Sequence, residues 1–336
     1  MTLSQGEIRT VIVGCLIALF LSALDQTIIA TALPAIAADL GDFALISWVV
    51  TSYLLAATCA TPILGKLSDL YGRRPMLLLC LFIFLAGSVL CAAAPSMGLL
   101  IAARALQGLG GGGLITLAQA TVADIVSPRE RARYSAYFAT TWGLASVLGP
   151  TLGGVITEFL DWTWIFWINL PMGAVALLVA DRALRKLPPR TSRGRIDLGS
   201  MALFATSALA FLLTLSFGGR IFPWVSLPTA GLVAVSLAAG ALFWRRQRSA
   251  AEPIMPPRFL KDPVLAPLFL SMFLAFGSFI AISTLVPVYL KITLQLSASS
   301  VGLLMIGLML SSTLSAGWAG QHLKRTGRYT LPPRLM

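Results

Sequence analysis

Long apolar stretches separated by short polar turns constrain this chain more than any other feature. Ten of them fall near residues 11–33, 46–66, 76–94, 98–121, 135–157, 163–180, 198–217, 226–244, 264–288 and 299–319. Each has about the 20 residues that an α-helix needs to cross the roughly 30 Å core of a bilayer. Charged residues make up only 11% of the sequence, whereas about 25% is usual in soluble proteins. These features exclude a soluble domain and predict an all-α integral membrane protein.

The basic residues alternate along the chain with acidic loops. Lys and Arg total 25 against 13 Asp and Glu, a net charge of +12, and they cluster near residues 66–74, 129–133, 182–195, 245–261 and 324–334. The intervening loops hold Asp39, Asp42, Glu158 and Asp161. Because Lys and Arg are retained on the cytoplasmic side, the alternation predicts a multi-pass protein of the cell membrane with both termini in the cytoplasm. The charge therefore indicates topology and contact with membrane lipids, and not a nucleic-acid partner.

Two turns with the same spacing indicate an internal repeat. A Gly-x6-Gly-Arg frame follows the second apolar stretch at 65–73 and the tenth at 320–328. A proline precedes each frame at a similar distance, Pro34 in the first case and Pro287 in the second. Two matches in the same order suggest that the ninth and tenth stretches repeat the first and second, as in membrane folds built of parallel halves.

This repeat predicts the organisation of the whole chain. The expected segments are an N-terminal six-helix half at 1–181, a cytoplasmic basic loop at 182–197, an inserted two-helix hairpin at 198–244, a second cytoplasmic basic loop at 245–263, and a partial C-terminal half at 264–336. The last segment would hold two helices and a tail. On this reading four helices of the second half are missing, and a second chain could be needed to complete it.

Two charged residues lie inside apolar stretches, Asp25 in the first and Arg104 in the fourth. A charge at the bilayer centre costs about 2.5–3.5 kcal/mol on insertion scales, so such residues usually face a cavity and serve a function. At 1.5 Å per residue, Asp25 lies about 21 Å from the cytoplasmic face and Arg104 about 9 Å from the outer face. Both then lie at matching depth and can pair. The pair serves either proton coupling or a static link between two helices.

The turn between the second and third stretches combines glycines with charged residues at the membrane surface. Either of two aspartates could pair with its first arginine, one in the turn and one at the end of the fourth stretch. Such a cluster predicts a cytoplasmic gate that locks one conformation, and the alternative is a turn that only orients helices. The residues of this predicted gate are Gly65, Asp69, Gly72, Arg73, Arg74 and Asp124.

The fifth stretch is rich in small residues around a central proline. Small residues let helix backbones approach closely, and proline removes one helix hydrogen bond and bends the axis. The pattern predicts a bent helix that packs against a moving neighbour, with ordinary tight packing as the alternative. Its residues are Gly143, Gly149, Pro150, Gly153 and Gly154. Separately, the polar and aromatic residues that could line a substrate cavity are Gln26, Thr27, Trp48, Tyr53, Gln107 and Trp142.

Motifs for catalysis, metal binding or cofactor binding are missing from the sequence. The four cysteines lie inside apolar stretches without metal-ligand spacing, and His322 is the only histidine. No GxxxxGK[ST], HExxH or GxSxG pattern occurs. We therefore expect neither an enzyme nor a bound cofactor or metal.

Four motifs resemble the signatures of the major facilitator superfamily: LDQTIIATALP from Leu24, GKLSDLYGRRP from Gly65, RALQGLGGGG from Arg104 and GLASVLGPTLGG from Gly143. The Gly-Pro pair in the last motif is similar to that of drug:proton antiporters. The segment WIFWINLPMG at 164–173, with the hairpin at 198–244, resembles the fourteen-helix EmrB/QacA-type subfamily.

The resemblance implies a proton-coupled exporter of amphipathic, often cationic drugs, driven by the proton gradient and working by alternating access. Asp25 would carry the coupling proton and Arg104 would belong to the relay. The cytoplasmic gate and the bent fifth helix would have the roles given above. Two alternatives remain: a membrane fragment that transports nothing, and an exporter of a metabolite or amino acid.

Overall fold

The computed structural model describes residues 4–185, 197–250 and 253–295, together with single residues at 304, 307, 311, 314, 315, 318 and 321. This part of the chain is almost entirely α-helical, which confirms the predicted fold class. The helices are α1 (Gln5–Leu40), α2 (Ile46–Tyr71), α3 (Arg73–Ala92), α4 (Met97–Ile125), α5 (Pro128–Phe159), α6 (Trp164–Trp167), α7 (Asn169–Leu184), α8 (Leu198–Phe217), α9 (Leu227–Ser249), α10 (Pro257–Lys261) and α11 (Leu265–Ile292).

Among the described residues, seven helical segments are long and apolar enough to cross a membrane. They are 5–40, 43–71, 73–92, 97–125, 164–184, 198–217 and 227–249. The predicted fifth stretch corresponds to α5, which is less apolar than these seven because Ser, Thr and Tyr side chains dilute its sequence. The predicted ninth stretch lies in α11, whose described part includes the apolar run Leu265–Phe279. The loop at 182–197, the tenth stretch and the second Gly-x6-Gly-Arg frame lie largely outside the described residues.

The first helix is longer than the predicted stretch at both ends. It begins at Gln5 because Ser4 and Glu7 form a reciprocal capping box, with hydrogen bonds of 3.3 Å and 2.9 Å. It continues through Pro34, since membrane helices tolerate proline where their surroundings satisfy the freed backbone groups. It ends at Leu40, because the next residue, Gly41, has a φ of +70°, which favours glycine.

The sixth apolar stretch forms one membrane-spanning segment, interrupted only at Ile168, whose φ of −60° and ψ of −25° remain helical. The short helix α6 ends at Trp167, and α7 begins at Asn169. Pro171 explains the interruption, because its ring lacks an N–H and clashes with the carbonyl four residues earlier, that of Trp167. Asn169 is therefore the first residue of α7, on a segment that keeps its helical course.

The glycines of α4 let two neighbouring helices pack directly on its backbone. A Cβ atom added at Gly108 would lie 2.3 Å from the carbonyl oxygen of Tyr53 in α2, and one at Gly112 would lie 2.4 Å from that of Ala57. On another face of α4, a Cβ at Gly110 would lie 2.5 Å from the backbone nitrogen of Phe84 in α3. The glycine run is therefore a close-contact site between α4 and its two neighbours.

Helices α8 and α9 form a hairpin that packs on the six-helix bundle. The Ser207 hydroxyl donates to the Ser236 carbonyl at 2.9 Å, and the Ser236 hydroxyl donates to the Ser207 carbonyl at 3.1 Å. At the hairpin's open end, hydrogen bonds from Ser200 hold the pKa of Asp197 below its usual range. The same carboxylate lies 3.6 Å from Arg246.

The chain divides into two compact units, Met1–Arg246 and Gln247–Met336. The first contains the six-helix bundle and most of the hairpin. In the second, the Gln247 side-chain oxygen accepts hydrogen bonds from the backbone N–H groups of Ile254 and Met255, at 2.6 Å and 3.1 Å. The five-segment organisation expected from the internal repeat stays a prediction.

The close α2–α4 contact predicts that Gly112→Ala lowers the thermal midpoint of the purified protein in detergent. The added Cβ would lie 2.4 Å from the Ala57 carbonyl oxygen, and such overpacking typically costs about 1–3 kcal/mol. Gly154→Ala is the matched control, because no atom lies within 4 Å of that added Cβ. Its midpoint should stay the same or rise slightly, since alanine favours helix over glycine. Equal midpoints for the two variants would contradict the contact.

Candidate functional site

An ion pair between α1 and α4 lies at the centre of the six-helix bundle. Arg104 Nη1 donates to Asp25 Oδ2 at 2.6 Å, and both side chains are 1% exposed. The contact expected from their matching depths is therefore present. Intramembrane charges are expensive unless they are paired, so this contact explains how α1 and α4 accommodate them.

The Asp25 carboxylate also accepts hydrogen bonds from two amides. Gln107 Nε2 and Asn169 Nδ2 each donate to Asp25 Oδ1 at 2.9 Å. Both amides donate in addition to the Ser88 hydroxyl, at 3.1 Å and 2.9 Å. That hydroxyl donates in turn to the Phe166 carbonyl at 3.1 Å. The carboxylate, the hydroxyl and both amides are buried, so we call these groups with Arg104 the buried polar network.

Arg104 has further partners besides the carboxylate. Its Nε donates to the Val49 carbonyl at 3.2 Å, and its Nη1 donates to Gln107 Oε1 at 2.8 Å. The guanidinium carbon lies 4.4 Å from the ring centroid of Tyr53 and 5.8 Å from that of Phe166. A desolvated cation over an aromatic face is stabilised by about 2 kcal/mol. The guanidinium is thus held by neutral groups as well as by its counter-ion.

These contacts determine what the network can do chemically. Removing one partner of a buried ion pair usually leaves an uncompensated charge, at a cost of about 3–5 kcal/mol. Here a proton that neutralised Asp25 would leave a cation that still has hydrogen bonds and aromatic faces around it. The site is therefore suited to a carboxylate that gains and loses a proton while the arginine stays charged.

Sequence reasoning did not single out Asn169 or Ser88. Asn169 did carry a signal, because it is an amide inside the apolar segment 164–173, where a polar group needs a partner. Ser88 carried none, since serine occurs in membrane helices for many reasons. Only the packing of α7 against α1 and α3 brings Asn169 to the carboxylate and Ser88 to the amide of Asn169.

The residues expected to line a cavity have two kinds of surroundings. Tyr53 and Gln107 are 1% and 0% exposed, so in this conformation neither lines an open cavity: Gln107 belongs to the buried polar network and the Tyr53 ring packs against its arginine. The other four, Gln26, Thr27, Trp48 and Trp142, are partly exposed. Trp48 packs against Phe217 of α8, with ring centroids 5.1 Å apart.

The small residues of α5 pack against α1. A Cβ added at Gly149 would lie 2.0 Å from the Thr27 hydroxyl oxygen, and one at Gly153 would lie 2.1 Å from that of Thr31. The Thr27 hydroxyl also donates to the Ala145 carbonyl at 2.8 Å. The remaining members of the pattern, Gly143, Pro150 and Gly154, make no such approach: the two glycines have open space beside them and the proline is exposed.

Arg73 is the centre of the charge cluster at the α2–α3 turn. It pairs with Asp69 at 2.7 Å and with Asp124 of α4 at 2.8 Å, and it also donates to the Ser68 hydroxyl. The sequence left open which aspartate would be the partner, and both are. Gly72 has a φ of +96°, which ends α2 and turns the chain into α3, so glycine is required there.

Arg74 belongs to a different ion pair from its neighbour. Its Nη2 and Nε donate to Asp181 Oδ1 at 2.6 Å and 3.0 Å. Arg185 donates to the other oxygen of the same carboxylate at 2.7 Å. The predicted gate residues therefore form two clusters, one joining α2, α3 and α4 and the other joining α3 to α7. Gly65 lies beside Thr116 of α4, at ordinary contact distance.

Comparison with known proteins decides the family. The family model described as Major Facilitator Superfamily matches residues 15–336. The chain belongs to the major facilitator superfamily. It is 36% identical over 315 residues to Multidrug resistance protein 3 of Bacillus subtilis (strain 168), covering 94% of this chain and 61% of that protein. It is 37% identical over 324 residues to the multidrug transporter protein MdtP of the same organism, covering 96% and 60%.

A solved structure of the major facilitator superfamily has the same fold. The proton:xylose symporter XylE, bound to 6-bromo-6-deoxy-D-glucose, superposes with a TM-score of 0.63 at 14% identity, covering 96% of this chain and 70% of that one. The chain is thus a multi-pass membrane protein of a transporter family and not an enzyme. It spans less than two thirds of the length of the two Bacillus relatives.

A double-mutant cycle tests how strongly the buried ion pair of Asp25 and Arg104 stabilises the folded protein. Arg104→Gln should lower the thermal midpoint of the purified protein strongly, because it leaves the Asp25 carboxylate buried beside neutral groups, at a cost of about 3–5 kcal/mol. Asp25→Asn combined with Arg104→Gln should recover much of that loss, since no unpaired charge remains. Thermal unfolding of the four proteins in one detergent measures the coupling. A double variant less stable than Arg104→Gln would contradict the ion pair's role in stability.

Proposed function

We propose that this chain carries the proton-binding half of a drug:proton antiporter of the fourteen-helix EmrB/QacA type. The transported compounds would be amphipathic, often cationic small molecules, exported by alternating access. Two relatives named as a multidrug resistance protein and a multidrug transporter support the substrate class. The proton gradient would supply the energy, and no cofactor would be needed.

The observation that carries the proposal is the burial of Asp25 against a compensated Arg104. Both side chains are 1% exposed, and the guanidinium keeps hydrogen bonds to Val49 and Gln107 that do not involve the carboxylate. Proton binding to Asp25 would break the ion pair without stranding the cation. The resulting change of charge at the centre of the bundle would favour a different packing of α1 against α4, and so link proton movement to conformation.

The cytoplasmic cluster of Arg73, Asp69 and Asp124 would act as the gate. Its aspartate side chains are 46% and 34% exposed while that of Arg73 is 9% exposed, so water reaches the ion pairs from the side of the aspartates. Aspartates that water can solvate on release suit a contact that must open in every cycle. The small residues Gly149 and Gly153 would let α5 slide closely along α1 during the same movement.

The setting of the protein follows from the same proposal. Both termini would lie in the cytoplasm of a cell whose plasma membrane holds the bundle, with the basic loops against anionic lipid headgroups. Since the chain spans 60–61% of the two relatives, helices from further residues or from a second chain would complete the transport path. A chain that lacks them would be inserted and inert, which is the alternative to be tested.

The test is dye efflux in everted membrane vesicles that hold the chain, alone or fused to four additional helices. Asp25→Asn in the active form should abolish ethidium movement driven by a pH gradient, because the amide cannot carry the proton. Membrane insertion should be unchanged. Asp39→Asn is the matched control on the same helix, since Asp39 accepts a hydrogen bond from Trp162 at 2.8 Å outside the buried polar network. Its efflux should stay close to that of the unaltered protein.

Three outcomes separate the alternatives. Efflux that survives Asp25→Asn would refute proton coupling at this carboxylate. Efflux by the fusion but not by the chain alone would identify the chain as an inactive part of the transporter. Movement of a metabolite or an amino acid in place of ethidium would replace the substrate class and leave the coupling intact.

A further inference from the structure

The amide of Asn169 has hydrogen bonds on one side only. Its Nδ2 donates to Asp25 Oδ1 and to the Ser88 hydroxyl, both at 2.9 Å. Its Oδ1 is buried without a hydrogen-bond partner among the described residues, and the residue is 0% exposed. A buried carbonyl oxygen without a partner is costly, so the donations must account for the presence of an amide here.

The orientation of this amide is imposed by its neighbours. The Ser88 hydroxyl gives its proton to the Phe166 carbonyl at 3.1 Å, so only its lone pairs face the amide. The Asp25 carboxylate, when charged, also offers only lone pairs. Asn169 can therefore present only its NH2 group to the two oxygens. Asn169 takes this position as the first residue of α7, which packs against α1 and α3.

We propose that Asn169 is a positioning residue for proton coupling: by donating to the charged form of Asp25, it sets the pH at which that carboxylate takes up its proton. This inference rests on the proposed function, since it requires Asp25 to titrate. A hydrogen bond donated to a carboxylate stabilises the charged form over the neutral one. Losing the donor therefore favours protonation at a higher pH.

The other groups around Asp25 leave this role to Asn169. The charged and titratable side chains that face it are Arg104 of α4, Tyr53 of α2 and Cys91 of α3. Arg104 stays charged over the whole relevant pH range, and α7 faces the carboxylate with the neutral amide. Gln107 and Arg104, the other donors to Asp25, both belong to α4. The hydrogen bond from Asn169 therefore links the Asp25 carboxylate to a different helix, α7.

The test is the pH dependence of carbodiimide modification in the purified chain. N,N′-dicyclohexylcarbodiimide reacts with protonated carboxyl groups, and mass spectrometry of the peptide that contains Asp25 reports the modified fraction. Asn169→Leu should move the midpoint of this reaction upward by about one pH unit, a tenfold change in proton affinity, because a hydrogen bond to a charged group is of that strength. Asn169→Ala should do the same, and serves if the leucine variant does not fold.

The matched control is Leu85→Ala, which loosens the same α3–α7 contact without touching the carboxylate. Leu85 packs against Gly173, one turn beyond Asn169. The pH midpoint of carbodiimide modification in Leu85→Ala should equal that of the unaltered chain. Unchanged midpoints in the Asn169 variants, or an equal shift in Leu85→Ala, would overturn the inference and leave proton binding at Asp25 intact. If Asp25 in the unaltered chain is not modified at any pH, the proposed function and this inference both fail.

Discussion

The cost of holding a carboxylate and a guanidinium away from water governs how this bundle is built. Asp25 and Arg104 are each 1% exposed, so neither can be satisfied by solvent. Their mutual contact at 2.6 Å is insufficient by itself, because desolvation of a buried pair can exceed its Coulombic attraction. The amides of Gln107 and Asn169 and the aromatic face of Tyr53 supply the remaining stabilisation. Helices α2, α4 and α7 must therefore all converge on one point of α1.

That convergence is possible because α4 has glycines, which lack a side chain, at the positions where α2 and α3 pack on it. The backbones of α2 and α3 lie directly against Gly108 and Gly110, closer than any Cβ would permit. Close approach of α2 brings the Tyr53 ring to 4.4 Å from the guanidinium carbon. Close approach of α3 brings Ser88 within hydrogen-bonding distance of both amides. The small residues and the buried charges are thus parts of a single arrangement, since the glycines provide the contacts that the charges need.

The predictable part of the site was the part with a strong local signal. A carboxylate and an arginine inside apolar stretches stand out, and a rise of 1.5 Å per residue matches their depths. Arg73 and its aspartates stood out for the same reason. Asn169 and Ser88 did not, because no local pattern says which neighbour a small polar side chain will meet. Gln107 and Tyr53 were expected at a cavity, but Gln107 lies in the network and Tyr53 packs against its arginine, since sequence gives position along a helix but not the direction a side chain takes.

What the sequence determined by itself was the helical class, the approximate spans and the position of each charge along its helix. These properties depend on hydrophobicity and on backbone hydrogen bonds that lipid obliges each helix to satisfy internally, and both can be read along one segment. Only the tertiary structure decided which side chains surround Asp25 and that Arg74 pairs with Asp181 of α7. Those outcomes depend on contacts between segments far apart in the chain, and rotation of a helix about its axis changes them without altering its hydropathy.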